Sequence, residues 1–229
     1  MHQILNEFGG RQNITERPEL LKPFLKKLST DIEIYKEHES ELTEILDGIF
    51  GLPGNVWESH SAAKRRYPEH RHESIRHAPT HYSKIQMMLN ILRPDKNDVF
   101  YDLGSGYGRV VLYTALMTRA QCFGVELIED RLQKGREAAR KLKLKNAEFL
   151  SGNVLDQNLN IANIFFLFNP FKGSVLTKVV EKLKDISDEK KITVIIWGGR
   201  EMFFTNRNWL EVRTKIPIKH GPMYIMDSI

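Results

Sequence analysis

The chain of 229 residues has a single cysteine, Cys122. A lone thiol excludes an intrachain disulfide and a zinc site built from cysteines. Long apolar runs are also missing. The most apolar stretch, residues 161–168, falls well short of the ~20 residues that a membrane-crossing helix needs. The first 25 residues carry Glu7, Arg11, Arg17 and Pro18 and lack an uninterrupted apolar core, so no secretory leader is expected. No internal repeat or low-complexity tract interrupts the sequence. What is there is ordinary for a soluble globular chain: 41% hydrophobic and 28% charged residues. These features predict a cytoplasmic protein with no membrane partner. The length suits one large domain, or a compact core with a smaller appendage.

The formal charge of +5 is unevenly placed. Residues 1–95 hold 13 basic and 14 acidic side chains, whereas residues 96–229 hold 21 basic and 15 acidic ones. A basic C-terminal part invites an acidic partner such as nucleic acid, an acidic protein surface or anionic lipid. Solvated helix faces account for the same excess. Residues 131–145 carry seven basic side chains, among them Lys134, Arg140, Lys141 and Lys143. No aromatic platform for stacked bases is interleaved there, which weakens a nucleic-acid reading.

The N-terminal part reads as helical. Residues 18–28 set Leu20, Leu21, Phe24, Leu25 and Leu28 at helical spacing behind Pro18. Residues 31–47 continue with Ile34, Leu42, Ile45 and Leu46 amid seven acidic residues, and Gly48 marks the stop. A turn at residues 51–54 opens a polar segment rich in histidine, and a further helix is expected over residues 80–92. After Pro94 the rhythm becomes alternating. Strands are expected at 98–103, 121–126, 147–150, 162–168, 191–197, 209–216 and 223–227, and helices at 108–118, 129–144 and 174–186. Strands alternating with helices predict a parallel sheet covered on both faces. The short connection through Pro217 and Gly221 predicts a closing antiparallel hairpin. The expected fold is thus α/β and doubly wound, with a mostly parallel seven-stranded sheet, a terminal hairpin and an N-terminal helical extension. Residues 1–74 form the extension with its basic histidine-rich loop, and 75–229 form the main domain.

The most informative segment runs from Val99 to Arg109, where Gly104, Gly106 and Gly108 recur at every second position between a strand and a helix. Glycines are needed where the chain turns sharply and a ligand approaches the backbone. A dinucleotide fold places its third glycine three positions after the second, with pyrophosphate at the helix start. Here the interval is two, and Asp102 stands just before the first glycine. A carboxylate there repels pyrophosphate and suits an ammonium, such as that of the methionine part of S-adenosylmethionine. Tyr101, Asp102, Gly104, Ser105, Gly106 and Gly108 are therefore candidate cofactor-binding residues. Glu126 ends the next strand and is placed to bind both hydroxyls of an adenosine ribose. Asn153 and Asp156, after the third strand, compete for the adenine edge; Asp156 equally well caps a helix or turn.

The fourth strand ends in Phe168-Asn-Pro-Phe171, on the side of the sheet where α/β ligands bind. Asn169 would face the donor there, although Asn-Pro also starts ordinary turns. The motif is similar to the Asn-Pro-Pro-Tyr loop of methyltransferases acting on adenine or glutamine amides. It lacks one proline and has Phe for Tyr, which counts against those substrates. Taken together, the segment 77–82 (His-Ala-Pro-Thr-His-Tyr), the segment 98–112 with its glycine loop, and Gly124-Val-Glu126 resemble class I methyltransferases. Within these they resemble the disruptor-of-telomeric-silencing type of protein-lysine methyltransferases and their small prokaryotic relatives.

The resemblance covers residues 75–229 and is specific for the cofactor motifs, while its lysine-specific content is thin. It implies S-adenosylmethionine as cofactor and a protein substrate. Asn169, Tyr82 and Phe171 become the catalytic candidates, and Thr80 and Asn169 join the cofactor-binding set. Phe168, Phe171, Tyr82 and Trp197 are available to line an apolar channel, and Thr80 or Tyr82 to close over the donor. Methylation of a small molecule or nucleic acid is the alternative, and a non-catalytic scaffold is disfavoured by the intact loop. His60, His70, His72, His77 and His81 invite a metal reading. Pro79 breaks the helical spacing of His77 and His81, and Arg65, Arg66, Arg71 and Arg76 repel a cation, so no metal is expected. A basic lid or substrate-docking loop is the better reading of that segment.

Overall fold

The computed structural model describes residues 1–54, 56–70, 76–218 and 221–229. His72 and Arg71 of the histidine-rich loop lie outside the described residues. The strands are β1 (Val99–Leu103), β2 (Gln121–Glu126), β3 (Ala147–Ser151), β4 (Ile164–Phe168), β5 (Thr193–Trp197), β6 (Leu210–Ile216) and β7 (Met223–Ser228). They form one sheet in the order β3-β2-β1-β4-β5-β7-β6. β1 to β5 are parallel, and β7 runs antiparallel between β5 and β6. β4 is apolar throughout because helices cover both sheet faces. β6, at the edge, instead exposes Arg213. This is the doubly wound, mostly parallel seven-stranded fold with a terminal hairpin that the alternation implies. The strand order reverses between β1 and β4, which opens a crevice at their C-terminal ends.

The helices are α1 (His2–Glu7), α2 (Gly10–Glu16), α3 (Leu21–Leu28), α4 (Ile32–Glu37), α5 (Glu39–Phe50), α6 (His60–Arg66), α7 (Tyr82–Leu92), α8 (Arg109–Met117), α9 (Glu129–Lys141), α10 (Gly173–Glu189) and α11 (Met202–Thr205). The helix expected over 31–47 is broken at His38, and its second half runs past Gly48. Ile49 and Phe50 continue its apolar face into the core, and Gly51, at φ 72°, ends it. α1, α2 and α6 fall in segments too polar for their apolar spacing to be read.

The N-terminal helices pack on α7 and α8. One apolar cluster runs from Leu5, Phe24 and Leu46 through Met88 and Val111 to Phe100 and Ile225. Inside it Tyr113 donates to Gln86 at 2.7 Å, which leaves Tyr35 to donate to the Tyr113 hydroxyl at 2.6 Å. Cys122 is buried in β2, and burial pushes its thiol up to about 12. Among the described residues no helix is long and apolar enough to cross a membrane, and no three histidine, cysteine or acidic side chains gather as metal ligands.

Candidate active site

A cavity of about 450 Å³ occupies the crevice at the switch point. Its floor is the end of β1 and the loop after it, with Asp102, Gly104, Ser105 and Gly106. Glu126 from β2, Asn153 after β3 and Phe168, Asn169, Pro170 and Phe171 after β4 form its walls. Two segments close it, residues 52–54 of the N-terminal part and residues 76–80 just before α7. Most of the expected site residues therefore meet in one place.

Glu126 is held on both oxygens. Oε2 accepts from the Gly106 amide at 2.8 Å and Oε1 from the Ile128 amide at 2.9 Å. Asp102 is buried, and that burial, reinforced by the Glu126 charge, pushes its carboxyl well above the usual range. The buried Ser105 hydroxyl has no hydrogen-bond partner among the described residues. Asn153 Oδ1 accepts from the Leu155 amide at 3.0 Å, so its side chain caps a turn; Asp156 does not line the cavity. Thr80 is buried at the wall, and its carbonyl accepts from Arg109 Nη1 at 3.0 Å.

Gly104, at φ 93°, is a point of contact between the loop after β1 and the loop after β4. A Cβ there would lie 2.4 Å from Cβ of Pro170. Gly108 lies outside the cavity and makes room for the Phe149 ring, so the third glycine serves helix–sheet packing.

Three further expectations need correction. Tyr82 does not line the cavity; it is fully buried, and its hydroxyl donates to Asp47 Oδ1 at 2.7 Å. The first turn of α7 aims it at Phe50 and Tyr113. Tyr101 also points elsewhere. Strand alternation sends Asp102 to the cavity and Tyr101 to the opposite face, against Phe123 and Phe165. Trp197 does not line the cavity either, but it stacks on Phe168 with ring centres 4.2 Å apart.

Several site residues carry no signal in the sequence. Arg109 is buried and donates to Asp47 Oδ1 at 3.1 Å and to the Gly54 carbonyl at 3.1 Å. Its guanidinium also pairs with Asp47 Oδ2 and lies over the Tyr82 ring. Asp47 stands 62 positions upstream, and no spacing rule connects the two. Arg131 is buried against Glu58 and Glu126. Glu58 and His77 exchange backbone hydrogen bonds at 2.9 and 3.0 Å, which ties the closing segment 76–80 to the stretch before α6. Burial, with Arg131 and Arg109 nearby, holds His77 down to about 3, so its ring is neutral against Tyr107. Asn169 has φ 47°, and its Oδ1 accepts from Arg200 Nε at 3.1 Å.

The sequence pattern of the family described as Histone methylation protein DOT1 matches residues 77–196, more than half of the chain. The chain belongs to that family. Residues 77–196 hold every cavity wall except the segment at 52–54 and Arg76. The DOT1-family chain is a class I methyltransferase, and S-adenosylmethionine is its cofactor. The cavity suits that molecule: two buried carboxylates face a cationic ligand rich in hydroxyls, and the Ser105 hydroxyl has an unmet hydrogen bond.

A curated relative, a protein-lysine N-methyltransferase from Saccharolobus islandicus, is 27% identical over 112 residues. The match covers 48% of this chain and 66% of that enzyme, just under two thirds of its length. Among solved structures, TrmN from Thermus thermophilus is similar in fold, with a TM-score of 0.53 and 14% identity over 72% of this chain and 53% of that one. An RNA methyltransferase from Salinibacter ruber, in complex with S-adenosyl-L-homocysteine, has a TM-score of 0.48 and 24% identity over 65% of this chain and 92% of its own.

Proposed function

We propose that this chain methylates the side-chain nitrogen of lysines in a protein substrate. The observation that carries the reading is the chemistry of the acceptor wall. Phe168, Pro170 and Phe171 surround Asn169, while the cavity's carboxylates, Asp102 and Glu126, both belong to the C-terminal ends of β1 and β2. No general base stands on the acceptor wall among the described residues. A group that becomes nucleophilic simply by losing its proton in an apolar place suits such a wall. From a pKa near 10.4, a neutral lysine at pH 7 costs about 4.6 kcal/mol, which desolvation beside the aromatic rings reduces. The similarity to a curated protein-lysine N-methyltransferase supports the same acceptor.

In this reading Asp102, Ser105 and the glycine-loop amides hold the methionine part of the donor. Glu126 takes the ribose, the loop at Asn153 borders the adenine, and Thr80 closes the wall. When bound, S-adenosylmethionine supplies an electrophilic methyl group. Asn169 and Phe171 orient the incoming nitrogen and exclude water from it.

The test is transfer from tritiated donor to the proteins of a cell extract. Acetylating lysine amines beforehand is expected to abolish the label. Label that survives acetylation, or that is removed by nuclease, overturns the lysine reading in favour of another acceptor.

A further inference from the structure

We propose that Arg200 is a positioning residue that fixes the carboxamide of Asn169 toward the methyl acceptor. Arg200 lies between β5 and α11 and is not part of the cavity wall. Its Nε donates to Asn169 Oδ1 at 3.1 Å, and it makes no ion pair among the described residues. A primary amide of unconstrained orientation turns over readily, because oxygen and nitrogen have nearly the same shape. Here the turned-over state would set the Asn169 NH₂ against the Arg200 N–H, donor facing donor. The cationic donor also makes the existing bond stronger than a neutral one. The amide therefore keeps one orientation, with its oxygen toward Arg200 and its NH₂ group free of that bond.

The backbone around this contact is built for close approach. Gly198 has φ 99°, and a Cβ on it would stand 2.9 Å from Cβ of Asn169 and 3.0 Å from the Phe168 ring. Any side chain at 198 would lift the acceptor loop from its seat. One residue earlier, Trp197 stacks on Phe168 at 4.2 Å and anchors its indole N–H on the Gly221 carbonyl at 3.0 Å. Thus the segment after β5 grips the loop after β4 through a ring, a bare backbone and a hydrogen bond. That grip holds Asn169 at φ 47°, a left-handed conformation that costs a non-glycine residue energy.

The positioning role holds for any acceptor that meets Asn169, and only the labelling assay rests on the lysine reading. Arg200→Met keeps the bulk and removes the donor, whereas Arg200→Lys keeps a donor. With saturating tritiated donor and the extract proteins labelled by the wild type, Arg200→Met is expected to lower the labelling rate at least tenfold. Its melting temperature should be unchanged, and its affinity for S-adenosylmethionine should stay within twofold. Arg200→Lys should recover part of the rate. The side-chain amide resonance of Asn169, assigned by its loss in Asn169→Asp, should move in Arg200→Met and stay in place in the surface variant Arg213→Met. A wild-type rate in Arg200→Met, or an unmoved Asn169 amide, overturns the proposal. If the wild type labels no protein, the lysine reading fails and the amide resonance still decides the role of Arg200.

Discussion

Asp102 faces opposed demands in the empty and the loaded protein. In the empty cavity, burial and the neighbouring Glu126 favour its protonated form. A ligand ammonium favours the ionised form, so binding must expel a proton. Affinity for S-adenosylmethionine is therefore expected to rise with pH through the raised pKa of Asp102. Calorimetry in buffers of different ionisation heat should detect proton release in the wild type and none in Asp102→Asn, which should bind at least tenfold more weakly. A carboxyl raised on folding contributes stability below its unfolded pKa and loses it as pH rises through the folded value. Asp102→Asn should therefore raise the melting temperature of the empty protein at neutral pH.

His77 has the opposite sign. It is held down to about 3, whereas an unfolded histidine titrates near 6.5. As pH falls from about 6.5 toward 3 the unfolded chain gains a proton that the folded chain refuses, and stability drops. His77→Phe should flatten that acid limb in denaturation curves at pH 7 and pH 5. At this scale the sequence told much of Asp102, Glu126 and Asn169, because strand-end position and short glycine intervals place them. It misplaced Tyr82, whose direction depends on Asp47 and Phe50 in another helix, and it was silent on Arg200.

Between elements, the Asp47–Arg109 contact joins α5 to the start of α8, and Arg109 also binds the carbonyls of Gly54 and Thr80. One guanidinium thus ties a helix of the N-terminal part to both segments that close the cavity. Burial raises the Asp47 carboxyl by more than Arg109 and the Tyr82 hydroxyl lower it, so this pair positions the closing segments more than it stabilises the fold. Removing one partner is another matter, since a buried cation then loses its counter-charge. Asp47→Ala should cost roughly 3–5 kcal/mol in urea denaturation. Gly104→Ala, with 2.4 Å to Pro170 and φ 93°, should separate donor and acceptor loops. Its expected signature is a loss of S-adenosylmethionine binding with the far-ultraviolet dichroism retained. The strands were legible because period-two and wholly apolar runs are local signals. The helix boundaries near His38 and Gly51 were not, since tertiary contacts set them.

Over the whole molecule, the N-terminal helices share an apolar cluster with α7, α8 and the sheet. The boundary expected at residue 74 separates sequence motifs more clearly than it separates packing. A chain begun at residue 75 would expose Tyr82, Met88 and Tyr113, which are fully buried in the intact protein. We expect it to lack a cooperative thermal transition, as measured by calorimetry. The charge asymmetry takes on a local meaning here. Two cations of the basic part, Arg109 and Arg131, are spent inside the protein on carboxylates of the N-terminal part, Asp47 and Glu58.

The burial of Cys122 has an optical consequence. A thiol held near 12 inside β2 does not react with maleimides at neutral pH while the fold is intact. The natural chain is thus already a silent background for a single dye. Trp57→Cys, at an exposed position beside Glu58, would carry a fluorophore at the edge of the closing segments without removal of the native thiol. Its emission would then report directly on the environment of that edge as ligand binds, on a time base that equilibrium binding cannot reach.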